Sequence, residues 1–228
     1  MRKLESHRQR DKLGLFVCEG EDLVEAALDA GLEPVEALVD AARPALADRL
    51  PAAELVAPEL LTGASSLGHA PRVLAVFRRA DLVQPATLPP VGLALWRVGD
   101  PGNVGTLLRA AEAFGPAFVA LSEGCADPFG PKALRASTGS VFRVPLVEFE
   151  AAPGRRIALV PHDGSLLGEV ELPEPVTFVL GAEREGIPGD MLAACDERAT
   201  IPLAGAESLN VAMAGTIALY ELARRKLG

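Results

Sequence analysis

Residues 91–115 read VGLALWRVGDPGNVGTLLRAAEAFG, and the fold is decided by how they are read. VGLALWRVG is an unbroken apolar run, the pattern of a strand buried on both faces rather than the alternation of a half-exposed one. A glycine turn follows, with Gly99, Gly102 and Gly105 three residues apart, and then a helix. On that helix Val104, Leu107, Leu108, Ala111 and Phe114 share one face, while Gly105, Arg109 and Glu112 fall on the other. Asn103 takes the position of an N-cap. A buried strand that feeds a helix through a glycine turn is the unit of an α/β protein with a parallel sheet. The turn lies where such sheets place their ligands.

Working outward, the same kind of apolar run recurs in AFVALSEG, RIALVPHDG, VTFVLG and ATIPL, and the chain ends on the helix pattern SLNVAMAGTIALYELARRKLG. Residues 91–228 are therefore expected to form one α/β domain. DLVQPATLPP, at residues 81–90, holds three prolines and is expected to be a linker, because proline stiffens the chain and removes backbone donors. Before it, GLFVCEG, EDLVEAALDAG, VEALVD and RVLAVFRR give residues 1–80 the pattern of a smaller α/β unit. Gly31 stands where a helix C-terminus would place it.

Bulk properties narrow the function. The chain has 228 residues, 49% of them hydrophobic, and a mean hydropathy of +0.24, enough for a substantial core. It lacks an uncharged apolar run long enough for a membrane span. MRKLESHRQRDK has no apolar stretch behind it, so a secretory signal is not expected and a cytoplasmic location is. Cys18, Cys125 and Cys195 are far apart, with neither CxxC nor metal spacing, so no metal is expected. The net charge of −9 argues against a strongly electrostatic nucleic-acid binder. Locally, however, Arg2, Lys3, Arg8, Arg10 and Lys12 outnumber Glu5 and Asp11. Only two asparagines, Asn103 and Asn210, and two glutamines occur in the whole chain, a depletion of heat-labile amides.

The usual nucleotide loops are missing. GxxxxGK[ST] is absent, and so is GxGxxG with an acidic residue about twenty positions on, which removes a nucleotide-dependent oxidoreductase from consideration. His7, His69 and His162 are not clustered with a serine or carboxylate motif, so a hydrolase triad has no support. Two later segments, FVLGAEREGIP (178–188) and IPLAGAESLNVAMAGTIALYE (201–221), are instead strand ends opening into glycine loops. There Ser208 is a natural N-cap, and Asn210 falls in the first turn of an apolar helix, where burial would oblige its amide to find partners.

NVGTLLRAAEAFG, KALRASTGSVFRVP, LGAEREGIP and IPLAGAESLNVAMAGTIALYE, in that order across residues 91–228, resemble the motifs of SpoU/TrmH-type RNA 2′-O-ribose methyltransferases of the SPOUT superfamily. FVCEGEDLVEAALDAG and APRVLAVFRR look like the L30e-like substrate-binding domain of that family. Ala212 and Ala182 depart from the family pattern, each standing where many members have serine. The resemblance implies S-adenosylmethionine as methyl donor, a deep trefoil knot and a homodimer. It implies cofactor loops at Leu180, Gly181, Ala182 and Glu183, at Ile201, Leu203 and Gly205, and at Ser208, Leu209 and Asn210. It also implies Arg109 as the catalytic residue, assisted by Asn103, Glu183, Ser208 and Asn210.

The reaction so implied is transfer of a methyl group to a ribose 2′-hydroxyl. Arginine is an awkward general base, because its pKa exceeds about 12. Arg109 can alternatively grip a neighbouring phosphate and stabilise the forming alkoxide. RNA contacts are expected from Arg2, Lys3, Arg8, Arg10 and Lys12 and from the Arg135 and Arg143 region. Ribosomal RNA is favoured over transfer RNA because the L30e-like domain accompanies the ribosomal branch. A non-catalytic RNA-binding protein that keeps the fold is the competing reading.

Overall fold

The structure is a computed structural model describing every residue except Ala52, Gly68 and Gly228. The last residue of the expected C-terminal helix thus lies outside the described residues. By its contacts the chain divides into two units, Met1–Val83 with Asp127–Arg143, and Gln84–Ala126 with Val144–Gly228. The first break falls inside the proline-rich stretch. The division also assigns 127–143 to the first unit, although the sequence runs it within the second.

In the first unit, α1 (His7–Leu13), β1 (Leu15–Glu19), α2 (Glu21–Asp29), β2 (Glu36–Asp40), β3 (Ala53–Val56), α3 (Pro58–Ala64) and β4 (Val73–Arg78) surround a sheet of order β1-β4-β2-β3. The runs LFVCE and VLAVFR pair antiparallel with Phe16 opposite Phe77. Phe16 also packs on Phe129 and Phe142, at ring centroid distances of 5.0 and 5.7 Å, so residues 127–143 complete this core. They complete its buried charges too. Arg10, only 4% exposed, donates to Asp127 at 2.6 Å and to the carbonyls of Leu4 and Glu5 at 2.7 Å each. Arg79 reaches the same carboxylate at 3.2 Å.

The second unit opens with β5 (Val91–Leu95), α4 (Pro101–Ala113) and β6 (Phe118–Leu121). After α5 (Pro131–Ser137), which lies in the first unit, follow β7 (Leu146–Glu148), β8 (Arg155–Leu159), β9 (Ser165–Leu166), β10 (Val176–Leu180), α6 (Gly189–Ala193), β11 (Glu197–Thr200) and α7 (Val211–Leu227). Its sheet has the order β7-β6-β5-β10-β8-β11-β9, and every neighbouring pair is parallel. VGLAL and VTFVL are buried at every residue, as their unbroken apolar character predicts. Glycine makes one close approach possible. A Cβ on Gly92 would lie 2.1 Å from the ring of Phe118, so the ring occupies the space a side chain would need. The short β7 and β9, and helices α5 and α6, carry no periodicity that sequence reading picked up.

This order places a switch at the centre. From β5 the chain leaves toward β6 on one side, and from its neighbour β10 it leaves toward β11 on the other. The loops after these two carboxyl ends diverge and leave a crevice, the usual ligand position in an open parallel sheet.

Candidate active site

Three loops build the crevice. The loop after β5 runs from Trp96 into α4, the loop after β10 covers residues 181–188, and residues 201–210 join β11 to α7. A cavity of about 530 Å³, within the size range of small-molecule sites, is lined by the second and third of these loops and by the end of β8, while the loop after β5 borders it through its bonds to Glu183. Leu159, Leu180, Ile187, Ile201, Leu203 and Leu209 supply apolar surface, and Glu183, Ser208 and Asn210 supply polar groups. Gly181 and Ala182 line it as well. Of the ten residues expected at the cofactor loops, Gly205 alone is not part of the lining. Leu159, the last residue of β8, and Val160 and Pro161 just beyond it are lining residues that sequence reading missed. Their signal was the same apolar strand end that marked the other loops.

The 181–186 loop is tight. Gly186 donates its N–H to the Ala182 carbonyl at 2.9 Å and sits at φ +68, in the left-handed region. A Cβ on Gly181 would lie 2.2 Å from the Gly186 carbonyl carbon, so this wall of the cavity closes only with glycine at 181.

A polar network ties the three loops together. The Glu183 carboxylate accepts from the backbone N–H groups of Gly99 and Asp100, both at 3.2 Å, and from Asn103 Nδ2 at 2.9 Å. Asn103 Oδ1 accepts from Asn210 Nδ2 at 3.1 Å. Asn210 Oδ1 accepts from the backbone N–H groups of Ala212 and Met213 at 2.9 and 3.3 Å, which starts α7. The only two asparagines of the chain are therefore bonded to each other. Burial pushes the Glu183 carboxyl up, but the hydrogen bonds from Asn103, from backbone groups of its own loop, and from Asp100 and Gly99 outweigh it and hold the group below its ordinary value. It stays ionised near neutrality.

Three expectations change. Asp100, not Asn103, caps α4, accepting from the N–H groups of Gly102 and Asn103 at 2.7 and 3.1 Å. Asn103 sits one turn in, its amide free to bridge. Asn210 rather than Ser208 caps α7, and it is exposed rather than buried, because α7 begins at Val211. Gly105 is buried with Val104 and Leu107, leaving Arg109 and Glu112 on the exposed face of α4. α7 packs on α4 and β10, and Gly215 brings it close, since a Cβ there would lie 2.4 Å from Leu107 Cδ2.

The expected RNA contacts divide. Arg2, Lys3, Arg8, Lys12, Arg135 and Arg143 are exposed. Arg10 is not, because its guanidinium is consumed by Asp127 and two carbonyls inside the first unit. Among the described residues no cluster of three or more His, Cys, Asp or Glu side chains could hold a metal ion, and no helix is long and apolar enough to cross a membrane.

Residues 90–220 match the SpoU rRNA Methylase family. The chain belongs to that family. It is 32% identical to the 23S rRNA (guanosine(2553)-2′-O)-methyltransferase RlmP of Bacillus subtilis, across 97% of this chain and 93% of that one. It is also 32% identical to an uncharacterized tRNA/rRNA methyltransferase of Synechocystis, across 99% and 90% of the two chains. Among solved structures it is similar to the SpoU methyltransferase AviRb of Streptomyces viridochromogenes in complex with AdoMet, with a TM-score of 0.86 and 25% identity over 99% of this chain and 96% of that one. The matched residues take in most of the second unit together with residues 127–143, which belong to the first unit by their contacts.

Proposed function

We propose that this chain is an S-adenosylmethionine-dependent methyltransferase acting on a ribose 2′-hydroxyl of ribosomal RNA. The observation that carries the reading is the three-loop network at the switch point. It joins Asn103, Glu183 and Asn210 beside a cavity of the right size and chemistry. Apolar walls from Leu180, Ile201 and Leu209 suit an adenine ring. Glu183, Ser208 and the loop backbone suit ribose hydroxyls and the ends of an amino acid. S-adenosylmethionine, when bound there, supplies an electrophilic methyl group.

The chain's own residues then have to orient and activate the nucleophile. Asn103 and Arg109 share α4, with Arg109 about 9 Å further along the helix axis. Ion-dipole ties from Gly99, Asp100 and Asn103 keep Glu183 charged and immobile, so the cofactor loop and the start of α4 hold one geometry. Arg109, a permanent cation, stabilises charge developing on the 2′-oxygen and on the adjoining phosphate rather than removing the proton as a resting base, and the hydroxyl proton passes to solvent water.

The first unit is the RNA-binding domain in this reading, presenting Arg2, Lys3, Arg8 and Lys12 and, on residues 127–143, Arg135 and Arg143. Met213 and Tyr220 support a homodimer. Seven residues apart on α7 and 56% and 51% exposed, they form an apolar face that suits a second copy. The return of α7 onto α4 after the 201–210 loop is consistent with the trefoil knot of the family, and the enzyme acts in the cytoplasm.

Methyl transfer from labelled S-adenosylmethionine to ribosomal RNA from a strain lacking the gene tests the function. Loss of one 2′-O-methyl site in that strain, restored by the wild-type gene and not by Arg109→Ala, is the expected result. No heat on titration with S-adenosylmethionine overturns it in favour of a non-catalytic RNA-binding protein.

A further inference from the structure

We propose that Arg97 is a positioning residue for the RNA, holding a backbone phosphate next to the target ribose; this rests on the methyltransferase reading above. Arg97 lies two residues beyond the carboxyl end of the central strand β5, in the loop whose later residues join the network. Its φ is +51, left-handed, a region that disfavours any residue with a Cβ. Among the described residues only Thr138 and Asp163 share such a conformation without being glycine.

The loop around it is fixed from both sides. Trp96 donates its N–H to the Leu180 carbonyl at 2.8 Å, and Arg97 donates its own to Ser122 Oγ at 2.9 Å. The Val98 carbonyl accepts from Ala126 at 2.9 Å, and Gly99 and Asp100 are tied to Glu183. Trp96 is further locked edge-on against Phe149, at 5.5 Å between ring centroids. Neighbours thus dictate the turn, and glycine would satisfy it without strain. What an arginine adds is its side chain.

That side chain has a defined course. A Cβ on Gly124, in the loop after β6, would lie 3.3 Å from Arg97 Nε and 3.4 Å from its Cγ. The arginine stem therefore runs over Gly124, itself at φ +86, from the β5 loop to the β6 loop. The residue is exposed, and among the described residues no carboxylate pairs with its guanidinium. Elsewhere in the chain Arg10, Arg49, Arg72, Arg79, Arg155 and Arg225 are all engaged by acidic groups. In a chain of net charge −9, a directed guanidinium that no carboxylate engages, on the turn that leads into the Gly99 and Asp100 ties to Glu183, matches a phosphodiester, which accepts two parallel N–H bonds from it.

The test compares the full chain with Arg97→Gly and Arg97→Lys, using an unmodified 23S rRNA transcript. Arg97→Gly keeps the turn, so its Tm and its affinity for S-adenosylmethionine stay at wild-type values. Its KM for the transcript rises about tenfold with kcat within about twofold, the signature of lost substrate binding. The slope of log affinity against log salt becomes shallower by about one unit, as expected for one phosphate contact removed. Arg97→Lys restores the slope and most of the KM. An unchanged KM and salt slope in Arg97→Gly, or a fall confined to kcat, overturns the proposal. A wild-type chain that binds the transcript but methylates nothing overturns the enzymatic reading instead, while the salt slope still reports on Arg97.

Discussion

Asn103→Asp is nearly isosteric and replaces a donor by an acceptor at the centre of the network. In the wild type, Asn103 Nδ2 donates to Glu183 Oε1 at 2.9 Å. The substitution removes that bond, worth about 1 kcal/mol net. It also sets two carboxylates roughly 3 Å apart, which costs about 1.4 kcal/mol even at the dielectric of water. Glu183 is exposed, so solvent screening keeps the penalty near that lower figure. The total, about 2–2.5 kcal/mol, corresponds to a fall in Tm of roughly 5–10 °C for a chain of this size. The pH dependence carries a sign. Glu183 in the wild type has a depressed folded-state pKa, so its contribution is present above the ordinary carboxylate pKa and fades as pH falls through the folded value. In the variant the pair shares a proton, one carboxyl is raised, and the deficit is greatest at neutral pH and shrinks as the pH falls through the raised value. Differential scanning calorimetry of wild type, Asn103→Asp and Asn103→Ala from neutral to mildly acid pH reads this directly. A deficit in Asn103→Asp that does not change with pH, or one smaller than that of Asn103→Ala, would refute the reasoning.

Other perturbations test separate parts of the molecule. Gly181→Ala forces a Cβ against the Gly186 backbone, and the displaced loop should cost on the order of 100-fold in kcat/KM, with weakened S-adenosylmethionine binding by calorimetry. Arg10→Met removes the 2.6 Å partner of Asp127, whose side chain is 5% exposed, and leaves Arg79 at 3.2 Å as its remaining cation, so it should destabilise the first unit by about 1.5–3 kcal/mol in chemical denaturation; a loss below about 1 kcal/mol would contradict a buried pair. Glu221 is held down to about 2 by hydrogen bonds from Arg224 and Arg225, and Arg225 also holds the Leu167 and Val170 carbonyls at 2.7 Å each. Glu221→Gln should therefore lower Tm by an amount that is constant above about pH 5 and vanishes as the pH falls toward about 2. Arg109→Lys should retain part of the activity that Arg109→Ala loses, read as initial rates of methyl transfer, and equal abolition would argue against charge stabilisation.

The strands of the second sheet were legible because burial on both faces leaves an unbroken apolar run, as in VGLAL and VTFVL. β7 and β9 were not, since three and two residues cannot display a period. The two asparagines stood out by scarcity, but their bond joins residues 107 positions apart, and only the fold brings them together. Arg10 read as one more member of a basic cluster because its partner lies 117 residues away. The cap of α4 was assigned three residues late, at Asn103, because Asp100 and Asn103 are both good capping residues and sequence does not rank them. Arg97 carried no signal, since a left-handed turn at a residue other than glycine is imposed by its neighbours.

The segment 127–143 makes the first unit discontinuous along the chain, and that has a consequence for dissecting it. During synthesis the first hydrophobic core cannot close at residue 83. Phe16 waits for Phe129 and Phe142, and the charge of Arg10 waits for Asp127, until about sixty more residues have been made. A fragment cut at the proline-rich stretch would expose an aromatic face and bury a cation without its counter-ion, so it should aggregate rather than report on RNA binding. A single crossover there cannot exchange the unit between relatives either; a working graft has to carry both pieces.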